Sequence, residues 1–209
     1  MSKPLLIFGL RGTLLERVHV RRLPQNAPKE DLTVGLSKVW LRPGMVDTLL
    51  TLQNHCRLAV WSSTTARNTT PLIEAVFQDA SVFDIHNEGK KNLKPPIKFE
   101  FVWTREHTVA DDFRRSSAVV RDDEHATLKD LSSVFRQYAA IANEKNTVLI
   151  DDTPSKARMH ADNYLWLDSC EGDGIKDTKA MKKLQDFVLQ ELLETSDVRD
   201  VLPRRIRRG

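Results

Sequence analysis

Cysteine is scarce in this chain. Cys56 and Cys170 stand far apart, with no CxxC pair and no histidine cluster nearby. That argues against a disulfide framework and a structural zinc site, and both thiols read as small buried apolar residues. None of the six histidines shows metal-ligand spacing. No apolar run approaches the roughly 18 residues that a membrane-spanning helix requires. The opening residues, MSKPLLIFGL, lack the long apolar stretch and small-residue cleavage site of a secretory signal, and the Arg/Ser-rich amphipathic pattern of a transit peptide. Internal repeats and low-complexity segments are absent. These absences point to a soluble intracellular protein, with mitochondrion, cytoplasm and nucleus left open.

Acidic residues are missing from one place in particular. Residues 201–209, VLPRRIRRG, carry four arginines and no acid, although the whole chain has a net charge of only +3. The rest of the chain is therefore close to neutral, at about −1, which argues against a broad basic face and leaves room for one basic anchor. Arg204, Arg205, Arg207 and Arg208 are the candidate contacts to an anionic partner, either RNA or an acidic protein. The other reading is a solvated end.

The apolar residues that are present fall into short, continuous runs: Pro4–Phe8, Arg57–Trp61, Asn146–Ile150 and Tyr164–Leu167. Strands covered on both faces lose their alternation and look like this. Between the runs, Met45 to His55, the segment LIEAVF behind Pro71, and Lys129 to Ala142 carry helical spacing. A long amphipathic helix follows from about Asp177 to Glu194. Phe99, Phe101 and Trp103 alternate, as in a strand with one covered face, and residues 17–40 read as a strand-and-loop excursion. This is an α/β pattern: a central parallel sheet flanked by helices, with a small strand insertion. The polar residues immediately behind the runs, Gly9, Arg11, Ser62, Asp151 and Asp152, occupy the strand ends at which such sheets bind ligands.

The segments LLIFGLRGTLL, WLRPGM, AVWSST, LKDL and VLIDDTP, in that order, resemble the CTD-phosphatase homology domain of the haloacid dehalogenase superfamily, whose members are Mg²⁺-dependent phosphotransferases. The resemblance covers roughly residues 4 to 170 and implies a Rossmann-like fold. It implies a domain over 1–175, a C-terminal helix packed on or beside it over 176–200, and a basic tail over 201–209. The family's first motif has the form hhhDxDGT, in which the first Asp is the nucleophile and the second is the general acid/base. Here those positions hold Gly9 and Arg11, while Gly12 and Thr13 keep the rest of the motif. Glycine offers no atom to attack phosphorus, and arginine holds its proton at any physiological pH. The remaining pocket positions match the family: Ser62 for the phosphoryl oxygens, Lys129 to neutralise them, Asp151 and Asp152 for Mg²⁺.

The degenerate pocket of Gly9, Arg11, Thr13, Ser62, Lys129, Asp151 and Asp152 therefore implies a pseudophosphatase without catalytic residues and without metal. Arg11 is expected to turn toward Asp151 and Asp152 and to stand in for the ion. A catalytically inactive protein-binding or scaffold subunit of a larger complex follows, with a ribonucleoprotein assembly as one setting. A degenerate version of this domain in the mitochondrial inner-membrane import receptor is the precedent. The alternative is a Mg²⁺-dependent phosphoserine/phosphothreonine protein phosphatase. The region from about Gly89 to Arg121 is expected to be a contact surface by analogy with the family.

Overall fold

The computed structural model describes residues 3–78, 97–116 and 126–209. The expected contact region from Gly89 to Arg121 lies partly outside them. Six parallel strands form the central sheet in the order β11-β10-β9-β1-β5-β6, where β1 is Leu5–Phe8, β5 Arg57–Trp61, β6 Val102–Trp103, β9 Thr147–Asp151, β10 Tyr164–Leu167 and β11 Arg205–Ile206. The expectation of a parallel α/β sheet holds.

The two faces of the sheet separate by residue parity. Leu6, Phe8, Leu58, Val60, Val148 and Ile150 point to one side, where they pack with α1 (Met45–Leu52) and the C-terminal helix (Ala180–Gln190). Leu5, Ile7, Ala59, Trp61 and Leu149 point to the other, against Leu131 and Val134 of the helix Leu131–Gln137 and against Phe101 and Trp103. Of the three alternating aromatics, Phe101 and Trp103 share this covered face, whereas Phe99 lies before the two-residue strand and packs on Phe77 in the opposite cluster. Burial on both faces is what erases alternation from β1, β5 and β9.

The excursion over residues 17–40 is an antiparallel sheet in the order β2-β4-β3, with β2 Leu15–His19, β3 Leu32–Val34 and β4 Ser37–Leu41. Three expected helices have different limits. The second begins at Ala66, with Thr65 as its extended N-cap, and Pro71 falls inside it. The start is held by the Ala66 N–H, which donates to the Glu106 carboxylate at 3.2 Å. The third begins at Leu131 because the Asp130 carboxylate accepts from the Ser132 N–H and caps it. The C-terminal helix starts at Ala180, its first free N–H groups met by Asp177 Oδ1, which accepts from Lys179 and Ala180.

The last nine residues are bound by the chain itself. Arg205–Ile206 adds a parallel strand beside Trp166–Leu167, and Ile206 is buried in the core. No helix among the described residues is long and apolar enough to cross a membrane.

Candidate functional site

Three neighbouring strands set the site. Gly9 follows β1, Ser62 follows β5 and Asp151 ends β9, so all three lie at the carboxyl edge of the β5-β1-β9 centre. Lys129 enters behind the short strand β8 (Thr127–Leu128), which pairs antiparallel with β7 (Val109–Ala110). Leu10, Arg11, Ser62, Lys129, Asp151 and Asp152 are among the residues lining a cleft of about 180 Å³. Drug-sized ligands occupy roughly 300 Å³ or more, so this is a small space.

Several of its polar groups are engaged within the chain. Lys129 and Asp151, with side chains only 1% and 5% exposed, form a direct ion pair through Nζ and Oδ2. Thr13 Oγ1 donates to Asp152 Oδ1 at 3.3 Å. The Ser62 hydroxyl oxygen accepts from the Thr64 N–H at 3.1 Å and from the Thr69 hydroxyl at 3.0 Å. Ser62 therefore stands in the expected place, but within a local hydroxyl network.

Arg11 corrects the expectation made for it. It makes no ion pair with Asp151 or Asp152: Nε donates to Glu16 Oε1 at 3.2 Å and a terminal nitrogen lies 3.1 Å from Glu171 Oε1, with the side chain 52% exposed. The cause is local. An isolated bridge pairs Arg11 with Leu15, so the loop doubles back and sets residue 11 beside Glu16. Lys129, arriving from the opposite side, is the cation that reaches the acidic pair.

The unpaired acid of the site is Asp152. Burial, and then the negative charge of Asp151, push its carboxyl up to about 7. Burial likewise raises Glu16, an effect that Arg11 partly offsets. On the basic side, burial and then the neighbouring charge of Lys129 bring Lys156 down to about 8.

The glycines record how tightly the pocket has closed. A Cβ on Gly9 would lie 2.5 Å from both Asp151 Oδ2 and Thr13 Oγ1. Gly12 has φ +78° and would press its Cβ into the Asp152 carboxylate. Side chains of the first and last motifs already occupy the space that a residue at position 9 would enter.

The profile of a family described as NLI interacting factor-like phosphatase matches residues 4–199. The chain belongs to that family. It is a haloacid-dehalogenase-like CTD-phosphatase homology domain, and the parallel sheet with the motifs at its carboxyl edge is the corresponding architecture. No curated protein matches the chain. Among solved structures, the fission yeast RNA polymerase II CTD phosphatase Fcp1 bound to beryllium fluoride is similar at 13% identity, with 91% of this chain and 50% of that chain covered and a TM-score of 0.49. A structure of Fcp1 described as an essential RNA polymerase II CTD phosphatase is similar at 12% identity, covering 99% and 59%, with a TM-score of 0.47. The chain thus spans about half to three-fifths of the length of these two chains.

The Mg²⁺ that this phosphatase-like family implies requires carboxylate oxygens converging from the first and last motifs. Here Gly9 supplies none, Asp151 is held by Lys129 Nζ, and among the described residues no group of three or more His, Cys, Asp or Glu is placed to hold a metal ion. The donor set does not fit the ion.

Several contributors to the site had no assigned role in the sequence. Arg42 of the WLRPGM segment is fully buried and braces the pocket loop from behind, donating to the Thr13 carbonyl at 2.9 Å and to the Asp168 carbonyl at 2.6 Å. Its one sequence signal is a lone arginine between an apolar strand and a Pro-Gly break. Glu16 and Glu171 are the partners of Arg11. A larger cleft, about 750 Å³, lies between the β2-β4-β3 sheet and the Ala66–Ile73 helix and is lined by residues including Arg17, Leu36 and Arg67. Cys56 and Cys170 are buried thiols pushed up to about 12 by burial and take no part. Arg205 is engaged by Asp168 and by the Trp166 ring, 3.9 Å from its guanidinium carbon, whereas Arg204, Arg207 and Arg208 remain exposed.

Proposed function

We propose that this chain is a catalytically inactive phosphatase-like domain that serves as a protein-binding or scaffold subunit of a larger assembly. The observation that carries the reading is the loss of both working carboxylates at Gly9 and Arg11, accompanied by a pocket in which Lys129 is paired with Asp151 and Arg11 with Glu16 and Glu171. Aspartyl-phosphate chemistry requires a carboxylate aimed at phosphorus and a group that exchanges protons near neutral pH. Position 9 has no side chain, and Arg11 is a permanent cation salt-bridged to two glutamates. Lys129, the group available to neutralise a phosphoryl oxygen, is already bound to Asp151.

A second reading, a Mg²⁺-dependent protein phosphatase, is favoured by the family match, since the family is described as phosphatase-like. Hydrolysis of p-nitrophenyl phosphate and of a phosphoserine peptide, with and without Mg²⁺, separates the two readings. The inactive reading expects wild-type phosphate release at the buffer background. It expects the same background from Gly9→Asp combined with Arg11→Asp, because a side chain at position 9 meets Asp151 and Thr13 at 2.5 Å. Wild-type turnover that disappears on Asp152→Asn establishes the phosphatase instead.

A further inference from the structure

We propose that the C-terminal edge of the sheet is a binding surface for the phosphate backbone of a nucleic acid. The tail over residues 204–209 is pinned by its main chain. Besides the β10-β11 pairing and the burial of Ile206, the Arg208 N–H donates to Asp168 Oδ2 at 3.0 Å and the Gly209 N–H to Asp177 Oδ1 at 3.4 Å. Lys183 Nζ donates to the carbonyls of Arg207 and Arg208 at 3.0 and 3.4 Å. The two aspartates nearest the tail, both buried, are thus used on its backbone and on Arg205.

The consequence is a fixed strip of positive charge. Arg204 and Arg207 are exposed, and among the described residues neither side chain has a hydrogen-bond or ion-pair partner. Arg208 is exposed beside them. Lys183 stands against the carbonyls of the tail, and the Lys179 side chain lies against Gly209. Guanidinium groups carried on an immobilised backbone lose less freedom when they engage a ligand than those of a free tail. Their planar forks match phosphate oxygens.

What the strip lacks selects the partner. Protein interfaces are organised around a desolvated apolar or aromatic centre. Among the described residues the exposed large apolar side chains are Val20, Leu23, Leu36, Val109, Phe113 and Met159, none of which belongs to the C-terminal helix or the tail. A row of cations without an apolar centre fits a polyphosphate backbone, whose affinity comes from counterion release. An acidic protein surface would leave this edge without the burial that holds such complexes together.

Fluorescence anisotropy of the full chain tests this, with labelled oligouridylate, the matching oligothymidylate and polyglutamate of equal charge as probes. Both oligonucleotides are expected to bind with an affinity that falls as salt rises. In the double variant Arg204→Gln, Arg207→Gln the log–log salt slope should decrease in magnitude by about 1.4, at about 0.7 per phosphate contact on a single strand. An unchanged thermal midpoint reports that this variant is folded, and Arg204→Lys with Arg207→Lys should keep the wild-type slope. Tighter binding of oligouridylate assigns the site to RNA, and equal binding assigns it to the phosphates shared with DNA. An absence of salt-dependent binding, an unchanged slope in the glutamine variant, or polyglutamate binding as tightly as the oligonucleotides would overturn the proposal. The readout is independent of turnover, so it stands or falls apart from the catalytic reading.

Discussion

At position 9 the missing side chain is only half of the change. A Cβ there would meet Asp151 and Thr13 at 2.5 Å, and Asp151 is fixed in that place by Lys129. The acidic pair of the family's last motif has been divided: Asp151 has a buried cation, and Asp152 has a hydroxyl donor and a like-charged neighbour. This division makes Asp152 a source of instability at neutral pH. Its folded value of about 7 stands above the roughly 3.9 of an unfolded aspartate, so the folded state binds the extra proton between those limits, and stability falls as pH rises through that window. Asp152→Asn, uncharged at every pH, is expected to unfold about 1–3 kcal/mol harder than wild type at pH 8 and with equal stability near pH 4. Urea denaturation at the two pH values checks this, and a variant less stable at pH 8 would refute it. The positions of Gly9, Arg11, Ser62, Lys129 and the two aspartates were legible from motif order. Which cation reaches the acidic pair was not, because order along the chain does not say that the Arg11–Leu15 bridge turns Arg11 toward Glu16.

Among the elements, the interior strands announce themselves and the edge strand does not. β1, β5 and β9 are covered on both faces and therefore read as unbroken apolar runs, whereas Arg205–Ile206 has one buried side chain among four arginines. Its strand identity comes from outside its own sequence, from pairing with Trp166–Leu167, the Asp168 N–H donating to the Ile206 carbonyl at 3.1 Å, and the stacking of Arg205 on Trp166. The same distinction explains the excursion after the first motif: its partly covered strands carry mixed sequences, and their pairing in the order β2-β4-β3 is a property of register, not of composition. Ile206 is the buried apolar side chain of the tail, with Val201 and Leu202 packed half-buried against the same core. Ile206→Ala is expected to lower stability by about 2 kcal/mol and to speed amide hydrogen exchange at Asp168 and Arg208. Unchanged denaturation and exchange would mean that the strand contributes nothing to the fold.

For the molecule as a whole, the phosphatase-like architecture is kept while positions 9 and 11 carry no carboxylate. The sheet still delivers the motif positions to one carboxyl edge, because the apolar runs that build it are independent of the residues at their ends. Those ends now close on themselves: lysine to aspartate, arginine to two glutamates, serine to two threonines. Arg204, Arg207 and Arg208 stand exposed at the far edge of the same sheet. The account rests on the absence of a phosphorylated aspartate at any stage, and that can be measured directly. Wild-type protein incubated with Mg²⁺ and acetyl phosphate, quenched in acid and weighed intact by mass spectrometry, is predicted to keep its unmodified mass. A species carrying one phosphoryl group, abolished by substituting Asp151 or Asp152 with asparagine, would contradict it.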